Sequence, residues 1–301
     1  MTLPDPVAFH IFSWPIRWYG IMAALGCIAA YMVFLKNRKY AKLTTEQVSD
    51  ILFLLIITGI IGARIFYCVE YFDQFKYSYT PEGQKVLNSG WQIFLQMLQV
   101  YNGGIVFYGG FIFAVTALFI YCRKKGLNFW KISDMAAPGL ALGHAFGRVG
   151  CFLNGCCFGK VTDSPICAVY PEGTFPAERY PSVTGEGIHQ HIHSMHLYPV
   201  QLYESFCNVI IAAVLMYLLP KLKTGQTLAL YFIMYGIVRF SDEFLRGDYH
   251  QKDLFFNCLK PGQFVSLFLI PAGIVMFFYF AKNKSEPETV INDTNEQKVQ
   301  E

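Results

Sequence analysis

Charged residues are scarce in this sequence: Asp, Glu, Lys and Arg make up 15% of its 301 residues. An average soluble chain carries roughly a quarter. Hydrophobic residues make up 54%, and they fall into blocks of about 20 residues, the length that a helix needs to cross roughly 30 Å of hydrocarbon. The pattern argues against a soluble domain. The formal net charge of +3 is small, so nucleic-acid binding is not indicated.

Other features are missing as well. No Lys or Arg precedes Arg17, so the first residues lack the charged region of a cleavable signal peptide, and we expect the first helix to be retained. The nine cysteines do not follow zinc-finger spacing. No internal repeat is evident, which argues against a transporter built from paired halves.

The apolar blocks predict an all-α integral membrane protein of about seven spanning helices. The predicted spans are 16–35, 50–69, 104–122, 135–153, 200–219, 227–240 and 263–281. Lys and Arg cluster in every second connection, and the positive-inside rule places those connections in the cytoplasm. The N-terminus is then outside and the C-terminus is cytoplasmic.

The opposite connections are longer and mixed in charge. We expect residues 70–102, 160–199 and 241–262 to form small caps on the outer surface of a membrane domain that covers residues 1–282. Residues 283–301 are polar and lack aromatic residues, which predicts a disordered cytoplasmic tail.

Polar side chains gather at the predicted outer ends of the spans. They are Arg17, Tyr19, Arg64, Tyr108, His144, Arg148, Asn154, Gln201, Glu204, Arg239, Glu243 and Gln263. A charge inside a membrane is costly, so each one is a candidate functional residue. For Arg17, Arg64 and Arg246 taken singly, a side chain that reaches the headgroups is the simpler explanation.

Arg148 and Arg239 need a partner inside apolar helices. Arg239 and Glu243 are four residues apart and share a helix face, so a structural ion pair competes with a functional role. Glycines surround Tyr108 and Arg148. They permit either close helix packing or the approach of a backbone to a phosphate headgroup, which Arg148 would bind.

Six segments together carry a resemblance. They are Gly147-Arg148-Val149-Gly150-Cys151-Phe152-Leu153-Asn154-Gly155 followed by Gly159, Arg17-Trp18-Tyr19-Gly20, Gly62-Ala63-Arg64, Tyr198-Pro199-Val200-Gln201-Leu202-Tyr203-Glu204, Tyr235-Gly236 through Arg239 to Glu243-Phe244-Leu245-Arg246, and Pro261-Gly262-Gln263 with Ser266. In their order along the chain they resemble the motifs of phosphatidylglycerol:prolipoprotein diacylglyceryl transferases, over residues 16–281. That family's seven-span topology agrees with the one predicted from charge.

The resemblance implies an enzyme of the bacterial cytoplasmic (inner) membrane. It would move the diacylglyceryl group of phosphatidylglycerol to the lipobox cysteine of a prolipoprotein signal peptide and release glycerol phosphate, the first step of lipoprotein maturation. Its partners would be these two substrates and membrane lipids, with no cofactor or metal. Arg148 would bind the headgroup, and Asn154 and Gly159 would shape that site.

Further site residues follow from the matched segments. Tyr19, Arg239 and Glu243 stand at positions important in the family, and Arg64, Gln201 and Glu204 are expected to contact substrate. The residues expected to act in catalysis are Tyr108, His144, Arg148, Arg239 and Glu243.

The sequence departs from the family pattern at three positions. Tyr108 stands where members often carry His, and Cys151 and Cys156 stand where members often carry Asn and Glu. A tyrosine with an ordinary pKa of about 10 is a poor base. We therefore expect Tyr108 to hydrogen-bond the lipid phosphate, and His144 is a candidate for the proton acceptor alongside Glu204 and Glu243.

The outer cysteines allow other interpretations. Cys151, Cys156, Cys157 and Cys167, with His189, His191, His193 and His196, could form disulfides or bind a metal. We expect no metal, because the family's chemistry needs none. A transporter, or a different phospholipid-using transferase, remains the alternative function; a transporter's polar residues should run through both leaflets.

Overall fold

The computed structural model describes residues 2–12, 14–79, 85–99, 104, 106–184, 191–249 and 258–282. Its elements are β1 (Val7–Ile11), β2 (Trp14–Arg17), α1 (Trp18–Lys36), α2 (Thr45–Glu70), α3 (Phe72–Lys76), β3 (Tyr77–Tyr79), β4 (Lys85–Leu87), α4 (Gly90–Leu98), α5 (Phe107–Lys125), α6 (Phe129–Asn154), α7 (Phe175–Arg179), β5 (Pro181–Thr184), β6 (His191–Ser194), α8 (Val200–Leu218), α9 (Gln226–Leu245) and α10 (Pro261–Lys282), with a 3-10 turn at Arg38–Ala41. The strands pair as two-stranded antiparallel ribbons between the long helices or before the first. The predicted tail at 283–301 lies outside the described residues.

Each predicted span coincides with a long helix. Four of them, α1, α2, α8 and α10, are long and apolar enough to cross a membrane. On α10, large apolar side chains such as Phe268 and Val275 are exposed by 65% and 68%, as expected for a surface that faces lipid. The prediction of a mostly helical, multi-pass membrane protein is confirmed. The other three long helices, α5, α6 and α9, carry more polar residues, and the count of seven spans stays a prediction.

Local signals set several helix ends. Thr44 caps α2 by accepting a hydrogen bond from the Gln47 backbone N–H at 3.2 Å, and the Gln47 side chain accepts one from the Thr44 N–H at 2.9 Å. This reciprocal arrangement satisfies two N–H groups that a helix start leaves unpaired. α8 begins directly after Pro199, and α10 begins at Pro261. Proline is favourable at a helix start because the N–H that it lacks would have no partner within the helix.

Residues Leu43–Phe129 form one compact unit, in which α2 and α5 pack side by side. Glycines allow the backbones of α2 and α5 to approach closely. A Cβ atom placed on Gly62 would lie 2.6 Å from the Gly109 oxygen, and one on Gly110 would lie 2.8 Å from the Gly59 oxygen. Of the two explanations for the glycines beside Tyr108, close helix packing therefore accounts for Gly109 and Gly110.

Met1–Lys42 and Trp130–Glu301 form the second unit. Here α6, α8 and α9 share an apolar core. Its buried members are Ala137, Ala141, Ile211, Ala212, Leu215 and Tyr231. The Ser205 hydroxyl of α8 donates to the Ala145 oxygen of α6 at 2.9 Å, and α10 packs along α9. These contacts fix the faces that α6, α8 and α9 turn toward one another.

A second apolar cluster holds the segment that follows α6. Phe158, Tyr170 and Leu197 are fully buried there and pack with Phe152 of the last turns of α6. Phe158, Tyr170 and Leu197 are therefore anchored to the end of the helix that carries Arg148, and an outer cap at 160–199 stays a prediction.

Candidate active site

Glu204, in the second turn of α8, is the centre of a buried ionic cluster. Its Oε2 atom lies 2.9 Å from Arg148 Nε of α6 and 3.5 Å from Arg239 Nη1 of α9, and its Oε1 atom lies 3.3 Å from His144 Nε2. Side chains of α6 and α9 thus meet at one carboxylate of α8. The structure brings together four residues that the sequence predicted separately.

Glu243 forms the second centre, one turn after Arg239 on α9. Its Oε1 atom lies 2.6 Å from Arg239 Nη2 and 3.5 Å from Arg246 Nη1, and it accepts a hydrogen bond from the Tyr249 hydroxyl at 3.2 Å. Burial raises the pKa of Tyr249 to about 12, so this hydroxyl keeps its proton at neutral pH. Arg239 bonds both acids and links the two centres.

The acidic side chains of the cluster are more fully buried than the basic ones. The side chains of Glu204 and Glu243 are 2% and 0% exposed, whereas those of Arg148 and Arg239 are each 13% exposed and that of His144 is 22% exposed. The carboxylates therefore lie behind the cationic groups. A site with this layering offers positive charge to an incoming anion and holds the guanidinium groups in place before it arrives.

His144 Nε2 faces two groups of opposite character. Arg148 Nε lies 3.1 Å from it and donates a hydrogen bond, while Glu204 Oε1 lies 3.3 Å away and can only accept. One ring nitrogen cannot accept from Arg148 and donate to Glu204 at the same time, so the proton on Nε2 decides which bond forms.

The start of α10 closes the cluster from another side. A Cβ atom on Gly262 would clash with Glu243 Oε1 and would lie 2.9 Å from Arg239 Nε, so only glycine lets this helix approach the ion pair. Lys260 donates to the backbone oxygens of Glu243 and Arg246. The segment around Pro261-Gly262-Gln263 is therefore part of the site's wall.

Gln201 and Gly159 organise the segment after α6. The Gln201 Nε2 atom donates to the Cys156 oxygen at 2.8 Å and to the Tyr170 hydroxyl at 3.1 Å. Gly159 donates its N–H to the Tyr198 oxygen at 3.1 Å and pairs with Arg246 in an antiparallel bridge. Both contacts position backbone; the predicted substrate contacts of these two residues stay predictions.

The remaining predicted residues of this unit lie nearby. Asn154 is the last residue of α6. Tyr19, the second residue of α1, packs on α6, since a Cβ atom on Gly150 would lie 3.2 Å from Tyr19 Cδ2. Tyr19 is 42% exposed, which leaves part of its ring open to a ligand.

Tyr108 and Arg64 belong to the unit Leu43–Phe129. Tyr108 is in the first turn of α5 and is 51% exposed. The Arg64 guanidinium is buried and donates to the oxygens of Gln96, Met97 and Gly104, each at 2.8 Å. It holds the end of α4 and the residues after it, so these contacts support a structural role, and substrate binding by Arg64 stays a prediction.

Three cysteines meet at the end of α6. The sulfur atoms of Cys151, Cys156 and Cys157 all lie within 4.8 Å of one another, and each residue is half-buried. The sequence grouped these cysteines with Cys167 and with histidines of the segment 189–196. Within the part of the chain that the structure describes, the close group contains the three thiols alone; His189 lies outside the described residues.

Sequence reasoning missed the network around Arg246. Arg246 was explained as a side chain that reaches the headgroups, but it is 6% exposed and bonds Asp248 through two nitrogen atoms, at 3.0 and 2.6 Å. Its position three residues after Glu243 was a usable signal, because that spacing shares a helix face. Tyr249 and Lys260, in the connection between α9 and α10, gave no such signal.

The family of the chain follows from its similarity to known proteins. Residues 6–279 match the family model described as prolipoprotein diacylglyceryl transferase. Proteins named phosphatidylglycerol–prolipoprotein diacylglyceryl transferase are 33% identical in Clostridium tetani, over 90% of this chain and 96% of the relative, and 33% identical in Finegoldia magna, over 92% and 96%. The protein of that name from Francisella tularensis subsp. novicida is 32% identical over 94% and 97%. The chain belongs to the prolipoprotein diacylglyceryl transferase family.

Proposed function

We propose that this chain transfers the diacylglyceryl group of phosphatidylglycerol to the thiol of a lipobox cysteine in prolipoproteins and releases glycerol phosphate. The names of its relatives supply the two substrates. The observation that carries the proposal is the layered cluster of Arg148, Arg239, Glu204 and Glu243, with buried acids behind partly exposed guanidinium groups. This arrangement suits a phosphate diester that gains charge as its glycerol carbon is attacked.

Arg148 and Arg239 are the phosphate ligands in this proposal. Arg148 contacts Glu204 through its Nε atom. The two terminal Nη atoms of its guanidinium are therefore not used in this ion pair. Arg239 Nη1 is buried and lies 3.5 Å from Glu204 Oε2, and it makes no hydrogen bond among the described residues. A phosphate oxygen can accept from such groups, and the bond strengthens as the leaving group becomes a dianion.

Glu204 and Glu243 act as positioning residues. A guanidinium bonded to a buried carboxylate keeps its orientation, which spares the site the reorganisation that a free arginine would need. We propose that His144 takes up the proton of the attacking thiol, since a protonated Nε2 can donate to Glu204 Oε1. The hydrogen bond from Tyr108 to the phosphate that the sequence suggests stays a prediction.

The finer topology belongs to the same proposal. We place seven spans in the bacterial cytoplasmic membrane, with the N-terminus outside, the C-terminus inside and the site near the outer face. Arg148 is near the end of α6, Glu204 near the start of α8, and Glu243 near the end of α9. The ends that carry the site are therefore the ends opposite the basic connections.

Thiol labelling tests that topology. A cysteine placed at exposed Lys124, in the last turn of α5, should react with a membrane-impermeant maleimide only in permeabilised cells, whereas one at exposed Glu172 should react in intact cells. The unsubstituted protein measures the background from its own cysteines. Labelling of the Lys124→Cys protein in intact cells would overturn the orientation.

The activity test uses purified protein, phosphatidylglycerol and a synthetic lipobox peptide. Mass spectrometry should find the diacylglyceryl thioether of the peptide, together with glycerol phosphate. A peptide with Ser in place of Cys should remain unmodified. Absence of thioether from folded protein in phosphatidylglycerol bilayers, or equal transfer from phosphatidylethanolamine, would contradict the proposal.

A further inference from the structure

The three cysteines at the end of α6 have no role in the function proposed above. Cys151, Cys156 and Cys157 nevertheless place three sulfur atoms within 4.8 Å of one another in a half-buried position. Thiols that converge in this way form disulfides or bind thiophilic metal ions. A disulfide would use two of them and leave one over, whereas a metal ion uses all three.

The backbone is built to bring these side chains together. Gly155, with φ of +70°, ends α6 in a left-handed turn, and the Cys156 N–H donates to the Cys151 oxygen at 3.1 Å across it. This helix end folds Cys156 back over Cys151. Cys157 also has a positive φ, +60°, which is unfavourable for a residue with a Cβ atom and is kept where the surroundings compensate for it.

Two arginines lie close to the three cysteines along the chain or across it. Arg148 stands three residues before Cys151 on α6, and Arg246 pairs with Gly159, two residues after Cys157. Three thiolates around a divalent cation carry a net charge of only −1, which is less than the charge of three bare thiolates. A soft divalent ion such as Zn²⁺ prefers sulfur ligands of this kind.

The metal geometry needs little movement. Zinc bonds sulfur at about 2.3 Å, so two sulfurs of a tetrahedral site lie about 3.8 Å apart. The present separations, of at most 4.8 Å, have to shrink by no more than about 1 Å. Because three protein ligands fill three of four tetrahedral positions, the fourth stays open for a substrate.

The cysteines also stand next to the proposed phosphate site. His144, Arg148 and Cys151 are spaced i, i+4 and i+7 along α6, so they share one face of the helix. A thiol bound at the cysteines would therefore lie beside a phospholipid bound at Arg148. This neighbourhood matters because the proposed reaction joins a thiol sulfur to a carbon of that lipid.

We propose that Cys151, Cys156 and Cys157 hold a Zn²⁺ ion whose open position binds the lipobox thiol of the substrate. The inference rests on the proposed function. A thiol bound to zinc loses its proton near neutral pH, and the resulting thiolate is the nucleophile of the proposed transfer. In the step, the substrate sulfur forms a bond to the terminal glycerol carbon, the carbon–oxygen bond to phosphate breaks with its electron pair on oxygen, and the thiol proton passes through water to His144.

Metal content is the first test. Protein purified under reducing conditions and loaded with Zn²⁺ should retain about one ion per chain after desalting, as measured by inductively coupled plasma mass spectrometry. Cys151→Ser, Cys156→Ser and Cys157→Ser should each lose most of it. Cys27→Ser, which changes an exposed cysteine of α1 outside the group, should retain it.

Cobalt spectroscopy tests the open position without any transfer reaction. Co²⁺ in the same site should give sulfur charge-transfer and tetrahedral d–d bands, and a lipobox peptide should shift the d–d bands while its Cys→Ser analogue does not. Unsubstituted, reduced protein that binds neither ion overturns the inference, and so does a spectrum that the Cys peptide leaves unchanged. If the peptide shifts the bands but no thioether forms with phosphatidylglycerol, the proposed transfer fails while the metal site stands.

Discussion

Replacing Glu204 with Gln removes one negative charge and keeps the shape of the side chain. Glu204 is 1% exposed and is bonded by Arg148 at 2.9 Å, with His144 and Arg239 at 3.3 and 3.5 Å. The neutral amide cannot balance two guanidinium groups. Arg148 then loses the carboxylate that orients it, whereas Arg239 keeps Glu243 at 2.6 Å.

The magnitude follows from burial. Two unit charges about 4 Å apart interact by about 4 kcal/mol at an effective dielectric constant of about 20, and removing one partner of a buried ion pair costs about 3 to 5 kcal/mol. We expect Glu204→Gln to lower the thermal stability of the purified protein. A shift of Arg148 by about 1 Å would reduce the rate of transfer about a hundredfold.

The assay measures both quantities on one preparation. Thermal unfolding in detergent gives stability, and mass spectrometry of the lipobox peptide gives the transfer rate at saturating phosphatidylglycerol. Glu172→Gln, an exposed substitution in the segment after α6, should change neither. A Glu204→Gln protein with unchanged melting temperature and full activity would refute the idea that this carboxylate holds the arginine in place.

Three further predictions concern single side chains. Arg148→Lys should lower transfer at least tenfold while the protein still folds, because lysine keeps the charge but not the planar fork for two phosphate oxygens; wild-type turnover by this variant would exclude the headgroup role. Gly262→Ala should lower both stability and transfer, because the added methyl group enters the space of the Glu243 carboxylate; Gly90→Ala, with nothing within 4 Å of its added Cβ atom, is the control, and equal behaviour of the two would contradict the close approach. Tyr108→Phe should reduce transfer about ten- to a hundredfold through the loss of one hydrogen bond to a charged group, about 1.5 to 3 kcal/mol; full activity would show that the hydroxyl has no role, and an inactive protein that is rescued by raising pH would make Tyr108 the proton acceptor instead.

The sequence determined the long helices and their order. An apolar block of about 20 residues has one way to satisfy its backbone in a bilayer, namely a helix, and each predicted span coincides with one. The pairing of Arg239 with Glu243 also followed from spacing, since residues four apart meet on a helix surface. Proline positions marked the starts of α8 and α10 in the same local way.

The partners of the buried charges were decided by tertiary structure. Glu204 could be seen as a polar residue near the start of a helix, but its contacts with Arg148 and Arg239 depend on how α6, α8 and α9 are rotated about their axes. That rotation is set by the packing of their apolar faces. The contacts of Arg64 could not be predicted for the same reason, because its carbonyl partners at Gln96, Met97 and Gly104 lie 32 to 40 residues away along the chain.

The contacts of the cysteines at the end of α6 are partly local in the sequence and partly set by tertiary structure. The approach of Cys156 to Cys151 is local, since it follows from a helix that ends at Gly155, and the sequence contains that signal. The place of Cys157 beside Arg246 is not local, because it requires the segment after α6 to pair with the end of α9. Sequence patterns indicate which residues are neighbours within about one helical turn. Contacts between distant segments form only when the faces of those segments pack together. Most of the charged residues of this site meet through such distant contacts.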